Sequence, residues 1–170
     1  MEREVAITFK PSEIIKIDGQ SLEDTMGMNV VMSKGEYYLM LRCDVHVNKE
    51  GWLEGYSCDI PLKTASVIKS YLALITSPVA EQSNIMTQEV CVDGKYILKA
   101  KAIEKETHDE EGRIYNEITG YIYSIELPFL FVIERHNMFD SDQTLCKITL
   151  NLSKEDAVEF CRSLTYLHIN

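Results

Sequence analysis

The segment from Lys95 to Ile125 combines residues that could hold an anion with residues that could stack against a planar ring. In its first half, lysines alternate with apolar residues, so a β-strand would carry the lysines on one face. In its second half, alternation puts Ile114, Ile118 and Ile122 on one face and the tyrosines on the other. If both apolar faces point to the core, the hairpin's outer face carries Lys95, Lys99, Lys101, Lys105, Arg113, Tyr115, Tyr121 and Tyr123.

This combination of residue types suits one kind of ligand. Cations along a strand can neutralise successive phosphates, and each base stacked on an aromatic ring contributes roughly 1–3 kcal/mol. The pattern therefore predicts a non-enzymatic module that binds single-stranded nucleic acid, DNA or RNA, on a sheet face. The alternative is an ordinary solvated face, because lysines commonly protect edge strands from aggregation and tyrosines commonly line exposed sheets.

Other clusters predict less chemistry. His108 precedes Asp109, Glu110 and Glu111, but no second set of ligands accompanies them, so we interpret this segment as a solvated acidic turn. The chain contains no G-x-S-x-G, P-loop, G-x-G-x-x-G or H-E-x-x-H motif. We therefore predict no catalytic residue, no metal and no cofactor. An enzyme of unrecognised type stays a third alternative.

The net charge of −10 works against a nucleic-acid ligand, since an acidic surface repels a polyanion. A second function fits the acidity better: an acidic protein-interaction factor, such as an inhibitor, an immunity protein or a phage-encoded antagonist. Its acid-rich loop, Glu104 to Glu117, would meet a basic protein partner or imitate nucleic acid. A strip of lysines can still dominate locally, within a Debye length of about 8 Å at physiological salt.

The overall composition is that of a soluble globular protein. Apolar residues make up 45% and charged residues 26% of the 170 residues, and no apolar run approaches the roughly 20 residues of a membrane span. The N-terminus lacks the apolar segment of a signal peptide. Five cysteines, all among apolar neighbours and without a C-x-x-C pair, predict reduced core thiols in a cytoplasmic protein.

Hydrophobic periodicity predicts mostly strands, with two helices. Alternation indicates strands at 4–10, 13–18, 36–47, 52–62, 95–106 and 113–125, and Pro128 starts a further strand. Segment 20–34 fits either a short helical turn or a strand, and 137–143 reads as a turn. Apolar spacing then changes to the helical i, i+3, i+4, i+7 pattern, at Ile68, Tyr71, Leu72 and Ile75 and again at Ala157, Phe160, Cys161 and Leu164.

The same order of elements occurs twice. "CDIPL" at Cys58–Leu62 and "CKITL" at Cys146–Leu150 share a pattern, and each leads directly into a predicted helix. We therefore predict an α+β fold of two pseudo-symmetric units, 1–84 and 85–170, each an antiparallel sheet of about four strands followed by one helix, together forming one compact domain. Each half leaves a sheet edge to pair or cover, which would favour a homo-oligomer.

A duplicated unit of strands followed by a helix resembles the Whirly, PC4 and Pur group of single-stranded nucleic-acid binders. The passages "GWLEGYSCDIPLKTASVIKSYLALI" and "FLFVIERHNMFDSDQTLCKITLNLSKEDAVEFCRSLTYL" are similar in layout to the strand-to-helix passages of Whirly proteins. The resemblance covers most of the chain but concerns architecture alone. The Lys-Gly-Lys-Ala motif of Whirly strands is absent, so no functional residue is carried over. The resemblance implies a curved sheet face, away from the helices, on which unpaired bases could stack.

Overall fold

The structure, a computed structural model, describes residues 6–11, 13–16, 22, 25–77, 89–135 and 138–170. Segments predicted to be structured before residue 6 and between 17 and 24 lie largely outside these ranges. The elements in chain order are β1 (Ala6–Phe9), β2 (Glu13–Lys16), β3 (Met26–Ser33), β4 (Glu36–Val47), β5 (Leu53–Pro61), α1 (Leu62–Ile75), β6 (Val90–Val92), β7 (Tyr96–His108), β8 (Ile114–Arg135), β9 (Met138–Leu152) and α2 (Lys154–Tyr166).

The described strands form a nine-stranded antiparallel sheet organised around β8. Along one side, β8 pairs with β7 through its first half and with β5 through residues 130–134. Along the other side it pairs with β9, which also pairs with β2. The order β1-β3-β4-β5 continues the sheet beyond β5, and β6 pairs with β7. The strand β8 therefore connects strands from both halves of the sequence.

Pro128 lies inside β8, although proline normally interrupts a strand because it has no backbone N–H to donate. On one side of β8, pairing with β7 ends at Glu126 and pairing with β5 begins at Leu130, so Pro128 falls between the two partners. On this side of β8 neither β7 nor β5 pairs with Pro128, so its missing N–H donor costs little stability. The 22-residue strand thus continues where the sequence predicted two separate strands.

Both helices pack on one face of the sheet. They contribute Ile68, Leu72 and Phe160 to one cluster of buried side chains, which also contains alternate residues of β3, β4, β5, β7, β8 and β9. The helices contact each other, and the ring of Phe160 meets that of Phe9 edge to face at 5.5 Å. In the described part of the chain, the helices leave the opposite side uncovered. We call it the open face; it carries Arg42, Lys99, Ser124, Leu130 and Lys147.

Several predicted elements are confirmed and one predicted turn is wrong. The architecture is α+β, β4 has the predicted bounds, and segment 26–33 is a strand rather than a helical turn. The turn predicted over 137–143 is wrong from residue 138 onwards, because β9 begins at Met138. Two separate units of four strands each are not confirmed, since the strands join in the nine-stranded sheet. None of the described helices is long and apolar enough to cross a membrane.

The two helices begin differently. α2 starts with a capping box: the backbone N–H of Asp156 donates to Oγ of Ser153 at 3.1 Å, and the N–H of Ser153 donates back to Oδ2 of Asp156 at 3.5 Å. α1 follows β5 directly, and Pro61 at its N-cap position makes no side-chain cap. Ser153 therefore ends the strand and starts the helix, because a capping side chain satisfies N–H groups that the first turn leaves unpaired.

Replacing Ser153 by alanine is expected to lower the free energy of unfolding by about 1 kcal/mol, the usual cost of a lost N-cap. Urea denaturation followed by circular dichroism measures the change. Ser70→Ala, at an exposed position of α1, is the matched control and should change stability by less than about 0.5 kcal/mol. Equal losses in the two variants would contradict the capping role of Ser153.

A break in the β4–β5 register brings His46 between two acceptors. The break lies between Cys43 and His46, and Asp44 adopts a left-handed φ of 53°. Nδ1 of His46 lies 3.0 Å from the carbonyl oxygen of Asp44, and Nε2 lies 2.8 Å from Oε1 of Glu54. Both acceptors favour the protonated ring, so the Asp44 carbonyl first and the Glu54 carboxylate second raise the pKa of His46 above 6.5.

NMR titration should therefore find a His46 pKa above 6.5. Glu54→Gln should lower this pKa, yet leave it raised, because the Asp44 carbonyl is still in place. The interaction contributes stability below the unfolded pKa, and this contribution disappears as pH rises through the folded value. Glu50→Gln, an exposed neighbour, is the control; a wild-type pKa at or below 6.5 would refute the contacts.

Candidate nucleic-acid interface

The predicted lysines lie together on the open face, along β7. Alternation in β7 buries Tyr96, Leu98 and Ala100 against the helices and exposes the lysines on the other side. None of these lysines forms an ion pair within 4.0 Å in the ranges that the structure describes. We call this set the lysine row: Lys95, Lys99, Lys101 and Lys105.

The turn before β7 sets where the lysine row begins. Asp93 and Gly94 have left-handed φ values of 52° and 66°, and Val92 lies opposite Tyr96, so Asp93, Gly94 and Lys95 form a three-residue turn. The backbone N–H of Lys95 donates to the carbonyl of Val92 at 3.1 Å. The hydroxyl of Thr64 donates to the Asp93 carboxylate, which connects the turn to the first turn of α1. The helix therefore holds the first lysine of the row at the edge of the open face.

Two of the predicted tyrosines lie on the wrong side for this interface. In the β7–β8 register, Tyr123 is opposite Ala100 and Tyr121 is opposite Ala102, so both rings share the helix-covered face. Tyr123 is only 1% exposed and Tyr121 is half-buried. The prediction that these rings accompany the lysines on the outer face is wrong, because burial selected the opposite set of β8 residues for the core.

The isoleucines predicted to face the core are exposed instead. Ile114 and Ile118 are 63% and 53% accessible, and Ile122 also reaches solvent. The apolar face of β8 that is buried continues from Tyr123 through Leu127 to the completely buried Phe129. This run lies next to the helices, whereas residues 114–119 are all exposed and belong to a hairpin that extends beyond the helices.

A β-bulge returns one tyrosine to the lysine row. The register shifts between Ile103 and Glu104, and Thr119 is the extra residue on β8. Beyond the bulge, Glu117 lies opposite Lys105 and Tyr115 lies opposite Thr107. Directly opposed residues share a face, so Tyr115, 48% exposed, lies on the side of Lys105.

Arg113 belongs to the turn rather than to the row. Its guanidinium contacts the carboxylates of Asp109 and Glu111, with Nε 3.2 Å from Oδ2 of Asp109. Its backbone N–H donates to the same Asp109 side chain at 2.8 Å. The arginine is therefore part of a closed, charge-paired turn.

The interface also contains polar residues that were not predicted from the sequence. Nζ of Lys147 on β9 lies on the open face, 3.3 Å from Oε1 of Glu126. Next to Lys99, Ser124 donates to Oδ1 of Asn151 at 2.8 Å, and Nδ2 of Asn151 donates to Glu13 at 3.0 Å. Because side chains alternate along a strand, the sequence predicts that Lys147 lies on the face of β9 opposite the buried Ile148. The sequence does not predict that β8 is the strand next to β9.

Groups with catalytic or metal-binding potential are poorly placed. All five cysteines are free. Burial is the main cause that raises the pKa of Cys43 and the pKa of Cys58 to about 12 each. These thiols stay protonated, and so weakly nucleophilic, at neutral pH. Cys91 is exposed, so the prediction that all five are core thiols is wrong for that residue. The described residues contain no group of three or more potential ligands that could hold a metal ion.

Comparison with protein-family models, with curated proteins and with solved structures found no match. The resemblance to the Whirly, PC4 and Pur group therefore stays a prediction. The residues that the structure brings together on the open face are the lysine row, Tyr115 and Lys147.

Chemical nitration separates the two tyrosine environments. Tetranitromethane should modify Tyr115 readily, whereas Tyr123 should react at least about tenfold more slowly because its ring must first be exposed by local opening. Peptide mass spectrometry measures nitrotyrosine at each position. In concentrated urea the two residues should react alike. Equal rates in the folded protein would restore the original assignment of both rings to the outer face.

Proposed function

We propose that this protein binds single-stranded nucleic acid along the lysine row of the open face. The observation that carries the proposal is the placement of four exposed lysines along β7 and the turn before it, without ion pairs among the described residues. An exposed, unpaired ammonium group keeps its charge available to a phosphate. Lysines that paired with carboxylates of neighbouring strands would have left no such site.

The spacing of the row suits an extended polyanion. Residues two apart on one strand face are separated by roughly 6.8 Å, which is the distance expected between Lys99 and Lys101. The ten residue-to-residue steps from Lys95 to Lys105 span roughly 34 Å, enough for several nucleotides of an extended strand. Four contacts of this kind would make binding fall with salt at a slope of about −0.7 per phosphate, or roughly −3 in log K against log salt.

The revised position of the tyrosines changes the proposed mechanism. Of the three rings, only Tyr115 can stack on a base beside the lysines, while Ile103 and Ile122 offer apolar surface on the same face. Stacking therefore contributes less, and phosphate contacts contribute more, than three tyrosines would have allowed. We propose sequence-tolerant binding whose strength depends mainly on ionic strength.

The position of the lysines also allows an acidic chain to bind an anion. The net charge is −10, but the row and Lys147 bring five cations to one face, where Glu117 and Glu126 lie near them. Screening limits the reach of distant carboxylates to about 8 Å at physiological salt. The remaining acidity would oppose binding at low salt, so the affinity should be moderate.

We also propose that the chain arose by duplication. β3-β4-β5 leads into α1 and β7-β8-β9 leads into α2, and in each case an antiparallel series of three strands precedes the helix. Among the described strands, β6 lies at an edge of the sheet, where a second copy could add a strand. Self-assembly through this edge would extend the open face.

A second candidate function is favoured by the hairpin beyond the bulge, residues 103–119. It exposes Ile114 and Ile118 together with the carboxylates of Glu104, Glu106 and Glu110. Exposed aliphatic residues ringed by acids are typical of a protein-binding surface. A basic protein partner would match both its charge and its apolar content.

The test is fluorescence anisotropy with a labelled oligothymidine and its duplex, titrated across a salt series. We expect saturable single-strand binding with a salt slope near −3, and a loss of most binding in Lys99→Glu/Lys101→Glu, which removes two contacts and adds two repelling charges. Oligouridine tests RNA in the same way. Tyr115→Ala should weaken binding by about tenfold, the contribution of one stacked base.

The matched control is Lys49→Glu/Lys63→Glu, which changes the net charge equally but away from the open face. It should keep most of the wild-type affinity. Equal losses in the two double variants would mean that net charge rather than the lysine row controls binding. Absence of binding at low salt would overturn the proposal and leave the acidic hairpin as the feature that contacts a partner.

A further inference from the structure

The open face contains a groove of about 740 Å³ at the point where β5 and β7 meet beside β8. Its walls come from five strands, β3, β4, β5, β7 and β9, and β8 forms its floor. The turn at Gly94 and Lys95 lies at one end. This volume is in the usual range of small-molecule pockets, roughly 300–1,000 Å³.

Most of the groove surface is apolar. Leu130 and Val132 of β8 form the floor, Met40 forms one wall, and Leu145 of β9 forms part of the opposite rim. Leu145 is 64% exposed, although it lies directly opposite Leu130. A leucine exposed to this extent at the rim of an apolar groove is expected to become covered when an apolar ligand binds.

The charged residues of the groove favour an anion. Among the described residues, its lining includes Arg42, Lys95 and Lys147 but a single carboxylate, Asp59. Arg42 acts electrostatically on Asp59, and Lys147 pairs with the nearby Glu126. Lys95 forms no ion pair in the described part of the chain. Among the described residues, three cations of the lining stand against Asp59 and the nearby Glu126, a formal charge of +1, although the chain as a whole is strongly acidic.

The walls of the groove also change the pKa of the Asp59 carboxyl. Its side chain still reaches solvent, but burial beside the groove raises the pKa of its carboxyl, while Arg42 opposes the shift.

We propose that this groove binds a small amphiphilic anion, with an aliphatic or aromatic body on Met40, Leu130 and Val132 and one carboxylate, sulfonate or phosphate group at Lys95. The ligand is small because the groove has a volume of about 740 Å³. It is anionic because the described lining residues and Glu126 together carry one excess positive charge. The proposal does not depend on nucleic-acid binding, since Lys99 and Lys101 do not line the groove.

Two fluorescent probes with the same apolar body test this proposal: 8-anilinonaphthalene-1-sulfonate and the uncharged N-phenyl-1-naphthylamine. Each is titrated into the folded protein, and its emission and stoichiometry are measured. We expect one saturable site for the sulfonate, with an affinity about tenfold higher than that of the neutral probe, the contribution of one charge-assisted hydrogen bond.

Variants separate the charge of the groove from its apolar surface. Lys95→Gln/Lys147→Gln should remove the preference for the sulfonate and leave binding of the neutral probe unchanged. Leu145→Glu, at the exposed rim, should weaken both probes without disturbing the core. Lys99→Gln/Lys101→Gln is the matched control and should change neither affinity. Urea denaturation of every variant excludes probe binding by partly unfolded protein.

Three results would overturn the proposal: no saturable sulfonate binding, equal affinities for the two probes, or affinities that Leu145→Glu leaves unchanged. Nucleic-acid binding by the same preparation distinguishes the two proposals. If the wild-type protein binds the sulfonate probe but not oligothymidine, the lysine-row proposal alone is refuted. If it binds oligothymidine but not the sulfonate probe, the groove proposal alone is refuted.

Discussion

The arrangement of β8 is the constraint on which the rest of the structure depends. This strand pairs with β7, β5 and β9, and its residues Tyr123, Ile125, Leu127 and Phe129 are buried beneath the helices. Because side chains alternate along a strand, burial of one set places the other set on the open face. The β7 register then determines which residues lie beside the lysines, and the β5 register determines where the groove forms. The positions of both candidate sites therefore follow from which face of β8 is buried.

The bulge after Ile103 limits the length of β8 over which the same set of alternating residues is buried. One extra residue on β8 reverses the relation between position and face, so Tyr115 joins the lysine side although Tyr121 and Tyr123 do not. The bulge also coincides with the end of the helix-covered sheet, since residues 103–119 are almost entirely exposed. Bulges commonly occur where a sheet changes its surroundings and a side chain has to be redirected.

The distribution of charge matters more for this protein than its total. An acidic chain concentrates lysines on the face that its helices leave uncovered, and many of its carboxylates lie in the hairpin beyond the bulge. The lysine row and the groove occupy the same face but suit different ligands: an extended polyanion along exposed ammonium groups, and a compact anion with an apolar body. Lys95, held by a turn that α1 anchors, belongs to both.

Local periodicity was enough to determine many of the elements. The bounds of β4, the buried residues Ile68 and Leu72 of α1, and the lysine face of β7 all follow from repeats of two or 3.6 residues. The face of β8 could not be determined in this way, because its isoleucines and its Tyr123–Phe129 run alternate in opposite phase, and only contact with the helices selects one. The groove could not be predicted from the sequence either, since its lining residues come from strands far apart in sequence. Burial is a property of the packed molecule, so the tertiary structure decided which residues meet.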